Sequence, residues 1–210
     1  MSVKKLDFAA PFFNTEFVED EQEYFVREKS LVVNLSNIDE GTLYVKNMPV
    51  FPLKGTIVEN VALTSVAKAL VVKEYDKDSG DPQFFRAIRA KWPTLYQVSG
   101  LERHRGIPYY KSPQVTVGGN VRINFCYAEP MAPSGRHQTH SPDFDEVHAQ
   151  ILGFGRMQKF TEDRGETFYQ EVIMAPGIVH DRFYDEKGLY PWHQYCSITD
   201  CVYMPIEIDK

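Results

Sequence analysis

The sequence predicts an all-β fold of barrel or sandwich type, and three observations predict it. Short β-branched and aromatic runs recur along the chain. Turn-forming Gly, Asn, Asp and Pro residues separate them about every 8 to 15 positions, the spacing of an antiparallel β domain. Only one segment carries a well-signalled helical period.

Taken in order, residues 16–29, "EFVEDEQEYFVREK", are the most acidic stretch and read as a solvated edge or a short helix. "SLVVNLSN", "GTLYVKNMPVF", "GTIVENVAL" and "ALVVKEYD" follow as strands broken by turn residues. In "SGDPQFFRAIRAKWP", Asp81 is placed to cap a helix and Pro82 to occupy its first position. Phe84, Phe85, Ile88 and Trp92 share a face of that helix, and Pro93 stops it. Gly118, Gly119 and Asn120 then form a hairpin turn. Beyond it Val121, Ile123, Phe125 and Tyr127 alternate with Arg122, Asn124 and Cys126, the pattern of a half-buried strand. "EVHAQILGFGRMQKF", "ETFYQEVIMAPGIVHDRFY" and "HQYCSITDCVYMPIEI" continue the same grammar to the C-terminal end.

Composition narrows the class of function. With 210 residues, 43% of them hydrophobic and 13% aromatic, the chain can bury a substantial core. A net charge of −6 without a basic stripe argues against a nucleic-acid partner. Its apolar runs are too short and interrupted to span a bilayer as helices, and "MSVKKLDFAAPFFNTEF" lacks the apolar segment of a secretory signal. Cys126, Cys196 and Cys201 are odd in number and form no CxxC pair, so reduced, buried thiols and a cytoplasmic setting are expected. No dinucleotide fingerprint, phosphate loop or nucleophile elbow is present, and nothing identifies a histidine partner for Cys126.

The chemistry concentrates in residues 135–155, "GRHQTHSPDFDEVHAQILGFG", which hold His137, His140 and His148. On a strand, alternate side chains share a face, so Glu146, His148 and Gln150 point one way and Val147, Ala149 and Ile151 the other. A polar inner face is costly unless something binds there. Pro142 and two aspartates favour a turn between His140 and Glu146, and a hairpin across it sets those two side by side. His180 follows a Pro-Gly corner in "APGIVHDRF". His140, Glu146 and His180 then compose two imidazoles and a carboxylate, the facial triad that holds non-haem Fe(II) with open positions.

These residues resemble the metal motifs of the cupin superfamily. Gly135, His140, Glu146 and Gly153 align with the first motif, with four residues between Gly135 and His140 and six between Glu146 and Gly153. "PGIVH" resembles the second motif, with Gly177 and His180 in place and Pro176 one position late. The second histidine of most cupins falls on Pro142, and the remaining spacing is similar to that of the homogentisate 1,2-dioxygenase branch. The resemblance covers about the last third of the chain. It implies a jelly-roll barrel, residues 1–210 as one cupin-like domain, with the strands and helix of residues 1–115 packed on a metal-binding half, residues 116–210. It further implies an Fe(II)-dependent dioxygenase that uses O₂ on a small, (di)hydroxylated aromatic substrate.

Supporting roles are assigned around that triad. His148 shares the face of Glu146 and is expected as a proton-transferring or supporting group, with ligation an alternative. Arg136 and Gln138 lie at even spacing from His140, and Arg182 and Tyr184 at even spacing from His180, so all four can line one cavity with Gln150. An arginine there can clamp a substrate carboxylate. His137 is expected on the opposite face, as a surface or loop histidine that becomes a rival ligand if the loop is irregular, and His104 and His193 in packing or at the surface. Two other readings stand: an isomerase, lyase or epimerase using Zn²⁺, Mn²⁺ or Ni²⁺ without O₂, and a non-catalytic ligand-binding barrel. Exposed edge strands favour a homodimer.

Overall fold

The computed structural model describes residues 2–37, 39–140, 143–185 and 188–209. Its strands are β1 (Ser2–Leu6), β2 (Asn14–Val26), β3 (Ser30–Asn34), β4 (Leu43–Val45), β5 (Met48–Val50), β6 (Gly55–Val58), β7 (Val61–Lys73), β8 (Tyr109–Lys111), β9 (Val115–Val117), β10 (Val121–Ile123), β11 (Cys126–Ala128), β12 (Phe144–Leu152), β13 (Gly155–Phe160), β14 (Phe168–Met174), β15 (Trp192–Ser197) and β16 (Cys201–Asp209). Two short helices, α1 (Pro82–Lys91) and α2 (Leu95–Ser99), separate the first seven strands from the rest. The chain is therefore all-β apart from these helices, as the strand-and-turn pattern predicts.

Three antiparallel sheets result. The first runs β1-β2-β7-β3-β6, with β4 on β7 and β5 on β4. The second runs β8-β11-β16-β10-β9, with β12 along the other edge of β16, and the third is β14-β13-β15. The acidic stretch is not a helix: residues 16–26 of it lie within β2, paired on both sides by β1 and β7, and the acidic side chains take the more exposed positions, as the solvated reading expects. β-pairing overrode composition because Phe17, Val18 and Val26 supply buried anchors.

The helix signals hold. Asp81 accepts the Gln83 amide at 2.8 Å, Pro82 opens α1, and Phe84, Ile88 and Trp92 are buried. Gly118 and Gly119 take positive φ in the hairpin joining β9 to β10. The strand expected over 121–127 is broken in two between Ile123 and Cys126. The break faces Met204–Pro205 of β16, where the proline has no N–H to complete a ladder. Nor is this segment half-buried: Asn124 and Cys126 are as buried as Phe125 and Tyr127.

One core brings both halves of the sequence together. Leu6, Phe8, Phe13 and Leu70 pack with Ile88 and Trp92 and with Phe125, Val147, Ile151 and Ile206. A second cluster under β12 and β13 contains Tyr109, Met157, Phe183, Tyr195 and Tyr203. β12 separates the two, with Val147, Ala149 and Ile151 in the first and His148 and Gln150 toward the second. Among the described residues no helix is long and apolar enough to cross a membrane.

Candidate metal centre

β12 positions the central carboxylate. It pairs with β16 over its length, placing Glu146 opposite Glu207 and His148 opposite Pro205. Its other edge is closed by residues 177–180: the Gln150 amide donates to the Ile178 carbonyl at 2.9 Å, and the Gly177 amide to the Gln150 carbonyl at 3.0 Å. Gly153 ends the strand with φ +66°, and a Cβ there would fall on the Asp200 carbonyl oxygen. Only glycine turns the chain back into β13 at that point.

Four side chains converge beside this strand: His137, His140, Glu146 and His193, whose ligating atoms all lie within 4.8 Å of one another. His140 Nε2 is 3.3 Å from Glu146 Oε2, so the expected approach of these two is present. Pro142, and with it the middle of the predicted turn, lies outside the described residues. His137 and His193 arrive by direct backbone pairing. The His137 amide donates to the His193 carbonyl at 3.0 Å, the His193 amide returns a bond at 2.8 Å, and the ring centroids sit 4.2 Å apart.

The tautomers follow from the backbone. His137 Nδ1 faces the Gly135 carbonyl at 3.3 Å, His140 Nδ1 the Phe144 carbonyl at 3.3 Å, and His193 Nδ1 the Pro191 carbonyl at 3.1 Å. A carbonyl can only accept, so in each ring Nδ1 carries the proton and Nε2 is left as the donor atom for a ligand. All three Nε2 atoms turn inward. His137 and His140 place theirs 3.2 Å apart, and His193 Nε2 is buried without a hydrogen-bond partner. His140 Nε2 thus lies between His137 Nε2 and Glu146 Oε2, a place that a shared cation can fill. Three imidazole nitrogens and a carboxylate fit a divalent transition metal.

Electrostatics agree with that donor set. Burial pushes His137 down to about 3 and His193 down to about 4, keeping both neutral and able to ligate. Burial also opposes charge on Glu146, but His148 and His140 outweigh it and hold the carboxyl well below its ordinary range. For His140 burial is again outweighed, here by Glu146, and its pKa is raised. Glu146 thus favours the protonated form of His140 in the metal-free centre, and a metal competes with that proton.

Aromatic side chains wall the centre. Phe144 stacks on His140 with centroids 4.5 Å apart, and Tyr190 meets the His193 ring at 5.0 Å while its hydroxyl donates to the Glu146 carbonyl at 3.1 Å.

The remaining expected site residues lie elsewhere. His180 does not join the cluster, because both its ring nitrogens are engaged. Nε2 accepts the His148 amide at 2.9 Å, and Nδ1 faces the Asp181 carbonyl at 2.7 Å. Its ring stacks on Phe183, and burial drives its pKa down to about 3. The imidazole replaces a ladder carbonyl at the end of the 177–180 segment. His148 does stand at the centre, with Nε2 3.3 Å from Glu146 Oε2 and Nδ1 3.0 Å from Met157 Sδ.

Arg136 donates to Asp163 at 3.0 Å and covers the Phe160 ring, so it is not presented to the cluster. Gln138 is exposed and donates to the Tyr190 carbonyl at 2.9 Å. Gln150 is fully buried between the Leu152 carbonyl and the Tyr195 hydroxyl, which donates to it at 2.6 Å. Arg182 pairs with Asp145 at 3.3 Å, and Tyr184 donates to the other oxygen of that carboxylate. Asp145 points away from Glu146, so this pair belongs to a different face of β12. The three cysteines are free and buried, as expected.

Sequence reasoning set His137 on the opposite face, a ligand only if its loop is irregular, and His193 in packing or at the surface. Residues 138–140 leave the extended path after a single bridge, so strand alternation gives the wrong direction for His137. His193 carries no local motif, and only its pairing across from His137 reveals it.

No protein-family profile matches the chain, and no curated protein matches it by sequence. Comparison with solved structures returns a cupin 2 conserved barrel domain protein from Leptotrichia buccalis, at 9% identity and TM-score 0.39 over 99% of this chain and 88% of that one. KdgF from Halomonas sp. matches at 11% identity and TM-score 0.35 over 49% of this chain and 81% of that one. A salicylate 1,2-dioxygenase variant from Pseudoaminobacter salicylatoxidans, solved in complex with gentisate, matches at 6% identity and TM-score 0.38 over 93% and 68%.

Proposed function

We propose that this chain is a cupin-type, divalent-metal-dependent enzyme whose metal is held by His137, His140, Glu146 and His193, and that it acts as an Fe(II) dioxygenase on a small hydroxylated substrate. The single observation that carries the metal reading is the inward convergence of three Nε2 atoms and one carboxylate, with His193 Nε2 buried and unpartnered. This replaces the expected triad: three histidines instead of two, and His180 in a structural role.

Bound there, Fe(II) would supply the one-electron chemistry through which O₂ reacts with an organic substrate. The protein's own residues do the rest. Three backbone carbonyls fix the imidazole tautomers and ring directions. Phe144, Tyr190 and Phe183 line the histidines with apolar surface and keep water scarce. His148, bonded to Glu146, can hold a proton at Nε2 beside the centre and release it to a departing oxygen.

Metal analysis of anaerobically purified protein, followed by O₂-uptake measurements on catechols and hydroquinones, tests the reading. One metal per chain with uptake on at least one substrate class supports it. Stoichiometric metal with no uptake on any of them removes the dioxygenase reading and leaves a Lewis-acid reaction, for which His148 is equally placed. A chain that holds no metal sinks both.

A further inference from the structure

We propose that Arg122 is a positioning residue of this centre: acting through Phe144, it holds the His140 imidazole in the direction in which it ligates metal. The inference rests on the metal reading above and adds a residue that works one side chain behind the ligands.

Of the four converging residues, His140 is the one that no strand or bridge fixes among the described residues. Glu146 belongs to β12 and His193 to β15, and His137 is bridged to His193. His140 lies outside the strands, so the direction of its ring depends on side-chain neighbours. Phe144 constrains it twice. The Phe144 carbonyl accepts from His140 Nδ1 at 3.3 Å, and the Phe144 ring stacks on the imidazole, 4.5 Å between centroids and 6° from parallel. A Phe144 ring that tilted would carry the imidazole with it and turn the Nε2 lone pair off the common point.

Arg122 lies over that same ring, its guanidinium carbon 5.2 Å from the centroid. The sheet sets this placement, because β16 runs between β10 and β12. Arg122 stands opposite Glu207, Glu207 opposite Glu146, and Phe144 opposite Asp209. Arg122 bonds to both β16 carboxylates, through Nε to Glu207 at 3.0 Å and through Nη1 to Asp209 at 2.7 Å. Gln114 donates to the other Glu207 oxygen at 2.9 Å. The planar fork is thus aimed by the two residues that face Glu146 and Phe144 across the ladder. Its third nitrogen, Nη2, is buried without a hydrogen-bond partner among the described residues. The negative face of an aromatic ring offsets such a loss, and Phe144 provides one.

A second stack shows what is particular to this one. The His180 ring lies on Phe183 at 4.3 Å, with the Lys159 ammonium over the Phe183 ring at 4.4 Å. There both imidazole nitrogens are hydrogen-bonded, and those bonds alone fix the ring. At His140 the Nε2 atom has to stay available to a metal. The stack under Arg122 takes the place of the second hydrogen bond.

The test measures Co²⁺ affinity and the visible Co²⁺ spectrum in the full chain carrying Arg122→Met, Arg122→Lys, Phe144→Leu, or Arg122→Met with Phe144→Leu. Phe144→Leu keeps the carbonyl acceptor and loses the ring. Arg122→Met and Phe144→Leu should each weaken Co²⁺ binding by about tenfold, the scale for a group that orients a metal ligand, and should displace the Co²⁺ bands in the same direction. A loss of stability alone would lower the folded fraction without moving the spectrum of the bound metal. Because the two residues act in series, the double variant should bind no more weakly than Phe144→Leu alone. Arg122→Lys should recover part of the affinity. Wild-type affinity and spectrum in Arg122→Met or in Phe144→Leu, or losses that add in the double variant, overturn this inference alone. Should Arg122→Met fail to fold, Phe144→Leu, which leaves the Arg122 ion pairs in place, and Arg122→Lys carry the same test. Failure of the wild type to bind Co²⁺ overturns the metal reading and this inference with it.

Discussion

Adjacent residues of β12 build two polar clusters on opposite faces, and they differ in how far each is satisfied. Asp145 is closed by its neighbours: Arg182 pairs with one oxygen and Tyr184 donates to the other. Acid, base and hydroxyl complete one another there. Glu146 instead faces four imidazoles within one small region, and three of them present atoms of the same kind to a common point. Among the described residues His193 Nε2 has no hydrogen-bond partner. Complementary donors and acceptors that pair off make structure. Imidazole nitrogens gathered beside one carboxylate are the feature on which the proposed metal site rests.

The largest way to break this contrast is to remove a converging ligand. His193→Ala or Glu146→Ala should lower metal affinity by more than about 100-fold, beyond what loss of a supporting hydrogen bond costs. Equilibrium dialysis against Zn²⁺ or Co²⁺ reads it, and wild-type affinity in either variant would remove that residue from the ligand set.

Acid should reach the histidine side next. In the metal-free chain His104 and His193 are pushed to about 4, and His137 and His180 to about 3. Their ordinary value is about 6.5. Between these values the unfolded chain binds protons that the folded chain refuses, so stability falls as pH drops from about 6.5 toward 3. The slope is on the order of 1.4 kcal/mol per pH unit for each such group. His140, whose pKa is raised, works the other way and offsets part of one share. Denaturant titrations from pH 7.5 to 4 check the sign. A flat profile would mean that the rings are not held neutral.

The same two faces show what was legible in the sequence. The strand period of β12 separates Val147, Ala149 and Ile151 from Glu146, His148 and Gln150, and the structure keeps that division. The α1 boundaries and the tight turn at Gly153 were also readable, because caps and positive-φ glycines act locally. The approach of His140 to Glu146 needed only a hairpin. His193 was hidden because its place depends on which distant strand lies opposite His137, a property of the assembled sheets. His180 was misleading for a related reason: the corner before it does bring it to β12, but onto the backbone of His148 and not toward the carboxylate. Arg122 was readable only as a polar position of its strand, because its link to Phe144 runs across β16.

His180 provides a sharper, smaller test. His180→Phe preserves the stack on Phe183 but leaves the His148 amide without an acceptor, which should cost about 1–3 kcal/mol of stability. The variant should still bind one metal per chain. Metal lost while the fold persists would return His180 to the ligand set.

The smallest effect should come from the satisfied face. Arg182 is partly exposed and its ion pair with Asp145 is screened by water, so Arg182→Ala should cost no more than about 1 kcal/mol. Tyr184 still donates to Asp145 in that variant, which leaves the carboxylate bonded and β12 in register. Metal affinity should be unchanged, because the Arg182 charge is already answered on its own side of the strand. Chemical denaturation and metal titration, run together on this variant, measure whether the two clusters are independent. A metal affinity that shifts with Arg182 would mean that the faces of β12 are coupled, and the division between a closed structural cluster and an open binding cluster would have to be redrawn.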